Sequence, residues 1–192
     1  IMGPNAYNAF GHLFVITKVG SGYIEFIQQN PGIGNPSRDQ MDLIYKNGKF
    51  ITGLSRGDGK EGEVITENLK TIKDIPQNIQ QKDFPKDIDI RGEVFIKNSD
   101  FKKLSNKFAN PRNAASGSLR QKDPSETKKI PLKFIAYTFG YEKNMNIKSQ
   151  SDFLKNLEKW GFKVNHLNKK IVGINNLIQN YNLVEKSRGD LD

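Results

Sequence analysis

From Leu43 to Leu54 the chain reads L-I-Y-K-N-G-K-F-I-T-G-L, two apolar runs separated by Asn47-Gly48. Both central residues tolerate positive φ, so the pair favours a two-residue hairpin turn. A hairpin commits its strands to antiparallel pairing and argues against a parallel doubly wound sheet. Nearly strict alternation returns at Asp87 to Lys97, D-I-D-I-R-G-E-V-F-I-K, where Gly92 interrupts the pattern just before Glu93. Leu132 to Gly140, L-K-F-I-A-Y-T-F-G, predicts a further, aromatic strand.

Helical signals fall between the strands. Glu63 to Ile72 predicts a short helix with Thr66 as its cap, closed by Pro76. Ser99 to Lys107 predicts another, with Ser99 capping and Phe101 and Leu104 on one face. Lys122 to Lys129 reads as a lysine-rich loop. Ser151 to Trp160 is amphipathic, with Phe153, Leu154, Leu157 and Trp160 on one face and Gly161 ending it. Asn176 to Lys186 predicts a last helix. Strands interleaved with short helices around a hairpin fit an α+β domain with an antiparallel or mixed sheet. Residues 43–192 form its core. In residues 1–42 glycine and proline are scattered, and only Phe14 to Ile16 and Tyr23 to Ile27 look strand-like, so this part is expected to be diverged or irregular.

A chain of 192 residues can bury a core without staples. Thirty Lys plus Arg against 21 Asp plus Glu give net +9, which suits a polyanionic partner such as nucleic acid, although solubility alone also accounts for it. Only six residues are Arg. Lysine often merely solvates a face, whereas the Arg fork matches phosphate. The absence of cysteine excludes disulfides and thiolate metal sites within these residues. No apolar run reaches membrane-spanning length, and residues 1–9 lack a signal-peptide pattern, so a soluble, cytoplasmic protein is expected. Neither Ile1 nor Asp192 has the logic of a natural end, and the chain is expected to be a fragment.

Gly57 to Gly62, G-D-G-K-E-G, matches G-x-G-x-x-G, but a dinucleotide fold needs a longer βαβ unit than the short helix before Pro76 allows. A tight turn is the plainer reading. A third reading keeps the turn and gives Arg56 and the turn's N–H groups an anion to hold. The tripeptides Arg56-Gly57-Asp58 and Arg188-Gly189-Asp190 are short chance matches to an adhesion motif. His12 and His166 have no carboxylate or hydroxyl arrangement near them in sequence and are expected to be surface histidines rather than catalytic or metal-binding groups. Glu93 is a solvent-face glutamate, an acceptor for ligand hydroxyls or a metal ligand. Phe108 to Gln121, F-A-N-P-R-N-A-A-S-G-S-L-R-Q, combines small residues with Arg112 and Arg120, two helical turns apart. Asn110 or Pro111 can start a helix there. The segment is equally readable as close helix packing with solvated arginines or as a grip on two successive anions.

Four blocks, S-R-G-D-G-K-E-G-E-V-I-T-E-N-L-K-T-I-K-D-I-P, R-G-E-V-F-I, F-A-N-P-R-N-A-A-S-G-S-L-R-Q-K-D-P and P-L-K-F-I-A-Y, resemble the adenylation domain of bacterial NAD-dependent DNA ligase from about Leu43 to Asp192. The resemblance implies a nucleotidyltransferase (ATP-grasp-like) fold of antiparallel sheets flanked by helices. It implies a three-step reaction assisted by Mg²⁺. A lysine takes AMP from NAD, AMP moves to a 5′-phosphate at a nick in duplex DNA, and the 3′-hydroxyl displaces it. It makes Glu93 the acceptor for the adenylate ribose and Tyr137 the ring stacked on adenine. It puts Arg56, Arg112 and Arg120 around the phosphates of cofactor and nick, with Asp58 beside them. The implied partners are NAD, AMP and nicked DNA, for a monomer in the bacterial cytoplasm, associated with the nucleoid.

The chain departs from this pattern at the nucleophile. The family's K-x-D-G motif precedes the hairpin. A gapless count puts Asn35 at its lysine, a short insertion puts Gly32 there, and I-T-K-V-G-S-G-Y offers Lys18 only with a long insertion afterwards. The family's I-D-G-x-V motif and later lysines would lie beyond Asp192, as would its cysteine zinc site. The chain is therefore expected to be inactive alone as part of a ligase, or else to be a catalytically silent nucleotide- or DNA-binding module.

Overall fold

The structure is a computed structural model that describes residues 6–7, 13–20, 23–29, 40–55, 62–104, 108–142, 147 and 149–187. Among the described residues there are two antiparallel sheets. β1 (Ala6–Tyr7), β2 (Leu13–Gly20) and β3 (Tyr23–Gln29) form a three-stranded sheet in the order β1-β2-β3. β4 (Gln40–Lys46), β5 (Lys49–Ser55), β6 (Asp87–Phe95) and β7 (Lys133–Glu142) form a four-stranded sheet in the order β5-β4-β6-β7. The helices are α1 (Thr66–Leu69), α2 (Asn98–Phe101), α3 (Pro111–Leu119), α4 (Pro124–Lys128), α5 (Gln150–Lys159) and α6 (Ile174–Ser187). The α+β class expected from the hairpin is the class found.

The hairpin forms as expected. Asn47 and Gly48 take φ values of 49° and 74°, and β4 pairs antiparallel with β5 on either side of them. One face of the larger sheet carries the core. Met41, Leu43 and Tyr45 from β4, Ile88, Ile90 and Val94 from β6, and Phe134 and Ala136 from β7 are buried there with Leu69, Leu119, Phe153, Leu157 and Trp160 from the helices. Tyr45 packs against Phe50, Phe84 and Phe162, and its hydroxyl donates 2.7 Å to the Pro76 carbonyl. Burial pushes that phenol far above its ordinary pKa, so it stays a donor. Gly92 is explained by packing. A Cβ there would lie 2.1 Å from Phe134 Cζ and 2.4 Å from the Ile135 carbonyl oxygen. The missing side chain lets the Phe134 ring cross β6.

Several helix boundaries differ from expectation. Thr66 does not cap α1. Ile65 holds that position without a side-chain cap, and the Thr66 hydroxyl instead accepts from the Gly53 N–H at 3.0 Å, tying the helix to β5. α2 is a single short helix begun by Lys97, with Ser99 inside it rather than capping it. The lysine-rich stretch 122–129 contains α4, because Asp123 accepts from the Ser125 N–H at 2.8 Å and Pro124 fits the first turn. α5 starts one residue early on a Ser149 cap. Residues 1–42 hold more strand than the two pieces expected. In L-F-V-I-T-K-V-G the β-branched residues outweigh the flanking glycines.

Gly92→Ala should destabilise the domain by about 2–3 kcal/mol, because two nonbonded contacts far below van der Waals distance force β6 or Phe134 to move. Urea unfolding checks this, and a loss below about 0.5 kcal/mol would contradict the close approach.

Candidate functional site

Along β6 burial alternates, so Ile88, Ile90, Gly92 and Val94 face the core while Asp87, Asp89, Arg91, Glu93 and Phe95 are half-buried on the opposite face. Glu93 stands between Gln40 on β4 and Ile135 on β7. Beside it the ladder shifts register. Gly92 pairs with Ala136 and Arg91 with Thr138, which leaves Tyr137 unopposed in the ladder. Such an irregularity re-aims side chains. Tyr137 therefore sits diagonally from Glu93, and its carbonyl accepts from Gln150 Nε2 at 2.6 Å.

The Phe108–Gln121 stretch becomes α3. Asn110 caps it by accepting from the Asn113 N–H at 2.8 Å, and Pro111 occupies the first turn. Ala114, Ala115, Ser118 and Leu119 are buried. The small residues thus serve close packing, while Arg112 and Arg120 are exposed near the two ends of the helix. A buried polar network fixes the C-terminal end. Thr127 Oγ1 donates to the Ser118 carbonyl at 2.7 Å and accepts from Asn68 Nδ2 at 2.7 Å. Asn68 Nδ2 also donates to the Gln121 carbonyl at 2.9 Å, and Ser118 Oγ to the Ala114 carbonyl at 2.6 Å. α1, α3 and α4 are joined through these bonds.

That end of α3 meets the turn that follows β5. Ser55 N–H donates to the Glu63 carbonyl at 2.9 Å, and Glu63 N–H to Ser55 Oγ at 3.0 Å, which closes the loop between them. Glu63 Oε2 then lies 2.9 Å from Arg120 Nε. Both side chains are largely exposed, so the pair contributes under about 1 kcal/mol. Its significance is positional. Ser55 pairs with Met41, and Met41 with Gly92, so this turn leaves the sheet at the end where Glu93 stands. Arg56 and Asp58, between Ser55 and Glu63 in sequence, lie outside the described residues, as do Gly32, Asn35 and His12. Lys18 lies in β2 opposite Glu25, and its side chain is outside the described residues.

Two residues along β6 from Glu93, Arg91 bridges two acids. Its Nε lies 3.2 Å from Asp42 Oδ1 and its Nη2 3.5 Å from Asp89 Oδ2. The contacts are within Coulombic reach, but Arg91 Nε and Asp42 Oδ1 make no hydrogen bond, and Asp89 Oδ1 has none either. A Cβ on Gly140 would lie 2.2 Å from Asp89 Oδ2, so this glycine roofs the cluster closely. Burial first, then the Asp42 charge, raises the Asp89 pKa to about 6 against the pull of Arg91. Sequence reasoning missed this cluster and the Asn68–Thr127–Ser118 network. The first was legible only in part, as the acid and base two residues apart in D-I-R, because Asp42 is contributed by β4. The second had no local signal. Among the described residues, no group of three His, Cys, Asp or Glu stands together, and no helix is long and apolar enough to cross a membrane.

Residues 39–192 match the family model described as the NAD-dependent DNA ligase adenylation domain. Over 149 residues the chain is 67% identical to a DNA ligase of Pelagibacter ubique (strain HTCC1062), covering 78% of this chain and 22% of that protein. It is 44% identical over 157 residues to a DNA ligase of Parvibaculum lavamentivorans, with the same coverage of each. A third relative, a DNA ligase of Bartonella bacilliformis, is 42% identical over 160 residues. The chain spans about a fifth of the length of these curated relatives, 22% of each.

A raised carboxyl pKa in the folded state means that the protonated acid is favoured there. The contribution of Asp89 to stability is complete below pH 3.8 and is lost as pH rises through about 6. Asp89→Asn, which mimics the protonated acid, should therefore gain on the wild type by up to about 3 kcal/mol between pH 4 and pH 7. Urea melts across this range read the difference, and a difference independent of pH would contradict the assignment.

Proposed function

Because the chain belongs to the NAD-dependent DNA ligase adenylation domain family, we propose that it is the nucleotide-binding part of a ligase that seals nicks in duplex DNA, built on the nucleotidyltransferase architecture. The observation that carries this reading is the Arg120–Glu63 contact. It sets the cation that follows α3 beside Glu63, which is hydrogen-bonded to Ser55 at the end of the sheet where Glu93 stands; Arg56 and Asp58 lie between Ser55 and Glu63 in sequence.

In this reading the Glu93 carboxylate accepts from the ribose hydroxyls of the adenylate, and the Tyr137 ring stacks on adenine. Arg56, Arg112 and Arg120, with Asp58 beside them, surround the phosphates of NAD and of the nick. Fixed guanidinium groups there offset the negative charge that grows on the phosphoryl oxygens during transfer. The parent reaction begins when a lysine amine attacks the α-phosphorus of NAD. A P–N bond forms, the pyrophosphate P–O bond breaks, and nicotinamide mononucleotide leaves. AMP then passes to the 5′-phosphate, and the 3′-hydroxyl displaces it. Lys18 is the one candidate nucleophile in this chain, and K-x-D-G is absent, so the chain is expected to bind nucleotide without labelling itself. The magnesium implied by the resemblance finds no donor set among the described residues, since Asp42 and Asp89 already share Arg91 as their cation. No step here is drawn through it.

Calorimetric titration with AMP tests the reading. Glu93→Gln should weaken binding about ten-fold through loss of a charged acceptor, and Tyr137→Ala by ten-fold or more through loss of stacking. Intact mass after incubation with NAD and Mg²⁺ should show no added AMP. Equal affinities in all three proteins would overturn the site. An AMP adduct absent from Lys18→Ala would overturn the expected inactivity and identify the nucleophile.

A further inference from the structure

A groove of about 210 Å³ runs between α5 and residues 164–170, lined by neither Glu93, Tyr137 nor any of the arginines assigned above. Its floor is apolar, with half-buried Leu154 and Val164. Its rim is rich in donors. Lys155, Lys169 and Lys170 supply ammonium groups, and Asn165 and Asn168 supply amides. Glu158 is the single acid in the lining. The N-terminal turn of α5 also faces it through Gln150 and Ser151, so the positive end of the helix dipole adds to the lysine field. Asp152 competes for two of these lysines: its carboxylate lies 3.8 Å from Lys155 with both side chains exposed, and after hydrogen bonding from Ser149 the charges of Lys155 and Lys170 help hold its carboxyl below the ordinary range. A contact that long and that wet holds a lysine weakly.

The groove reads charge rather than shape. It contains no arginine, and lysine acts as a flexible point charge without the planar fork that orients a single phosphate. Its volume is small for a whole nucleotide cofactor. Three flexible ammonium groups lining one groove suit an anion that carries several phosphates.

We propose that this groove binds the phosphodiester backbone of duplex DNA, as a second contact separate from the nucleotide site. That the polyanion is DNA rests on the ligase reading; that it is a polymeric phosphate rests on the groove. Gln150 joins the two regions, because the side chain that lines the groove also donates to the Tyr137 carbonyl. Backbone held there lies against the element that fixes the bulge beside Glu93.

The experiment measures binding of the 192-residue chain to a nicked duplex by fluorescence anisotropy between 50 and 200 mM salt. Lys155→Gln, Lys169→Gln and Lys170→Gln are combined in one variant. A charge-matched control carries Lys46→Gln, Lys49→Gln and Lys86→Gln at the hairpin end of the sheet, where all three lysines are exposed. Each phosphate contact steepens the salt dependence by roughly 0.9. The groove variant should lose about 2–3 units of slope and weaken binding by about 10–50-fold at low salt, while the control keeps most of both. AMP affinity should be unchanged in both variants. Because the chain has no cysteine, Asn168→Cys can carry an environment-sensitive fluorophore as a readout independent of the lysine variants. It should respond to duplex at micromolar concentration and not to inorganic phosphate or AMP. Equal slope loss in groove variant and control overturns the proposal, as does a fluorophore silent to duplex or one answering phosphate and duplex alike. Loss of slope in the groove variant from a chain that binds no AMP would leave the groove standing and remove the ligase reading.

Discussion

The hydroxyl of Thr127 is the point on which the arrangement of α3 depends. It is fully buried, takes a hydrogen bond from Asn68 and gives one to the Ser118 carbonyl. A polar group in that position costs about 1–3 kcal/mol when unmatched and specifies a single geometry when matched. Here it is matched on both sides, so α1, α3 and α4 have one way to fit together. Arg120 follows directly after the helix that this network holds, and its position beside Glu63 is inherited from the core rather than from the weak, solvated ion pair itself.

Much of the fold was legible because the relevant signals are local. Asn47-Gly48 specified a hairpin, period-two alternation specified β6, and Phe153, Leu154, Leu157 and Trp160 on one face specified α5. The α3 segment could be read as close packing with solvated arginines or as a grip on successive anions; the structure buries its alanines and leaves the arginines exposed near the ends, which is what the packing reading asks of it. What escaped the sequence depended on distant partners. Thr66 looked like a cap until its hydroxyl met Gly53, a residue thirteen positions earlier. Asn68 and Thr127 are 59 residues apart, and neither is unusual in its own segment. Gly92 was read as a marker for Glu93, whereas the physical reason for it is the Phe134 ring on the neighbouring strand.

The face of the larger sheet away from the core is unusual in its mixture. Asp42, Asp89 and Arg91 lie close together and partly buried, with Glu93 two residues further along the same strand. Partial burial strengthens every charge interaction there relative to water. It also makes the protonation of Asp89 sensitive near neutral pH. Three carboxylates, Asp42, Asp89 and Glu93, against the one guanidinium of Arg91 leave this stretch of the face net acidic. Lysine, by contrast, is spread widely over the surface. The groove beside α5 stands out because apolar floor, amide rim and three ammonium groups coincide.

The central claim is that the buried hydroxyl network, rather than surface charge, holds α3 in register. A double-mutant cycle on Asn68→Ala and Thr127→Val, read from unfolding free energies in urea, tests it most directly. The account predicts that the two changes are not additive, with a coupling energy of about 1–2 kcal/mol. Additive effects within about 0.3 kcal/mol would contradict it, since the two residues would then be stabilising the domain independently.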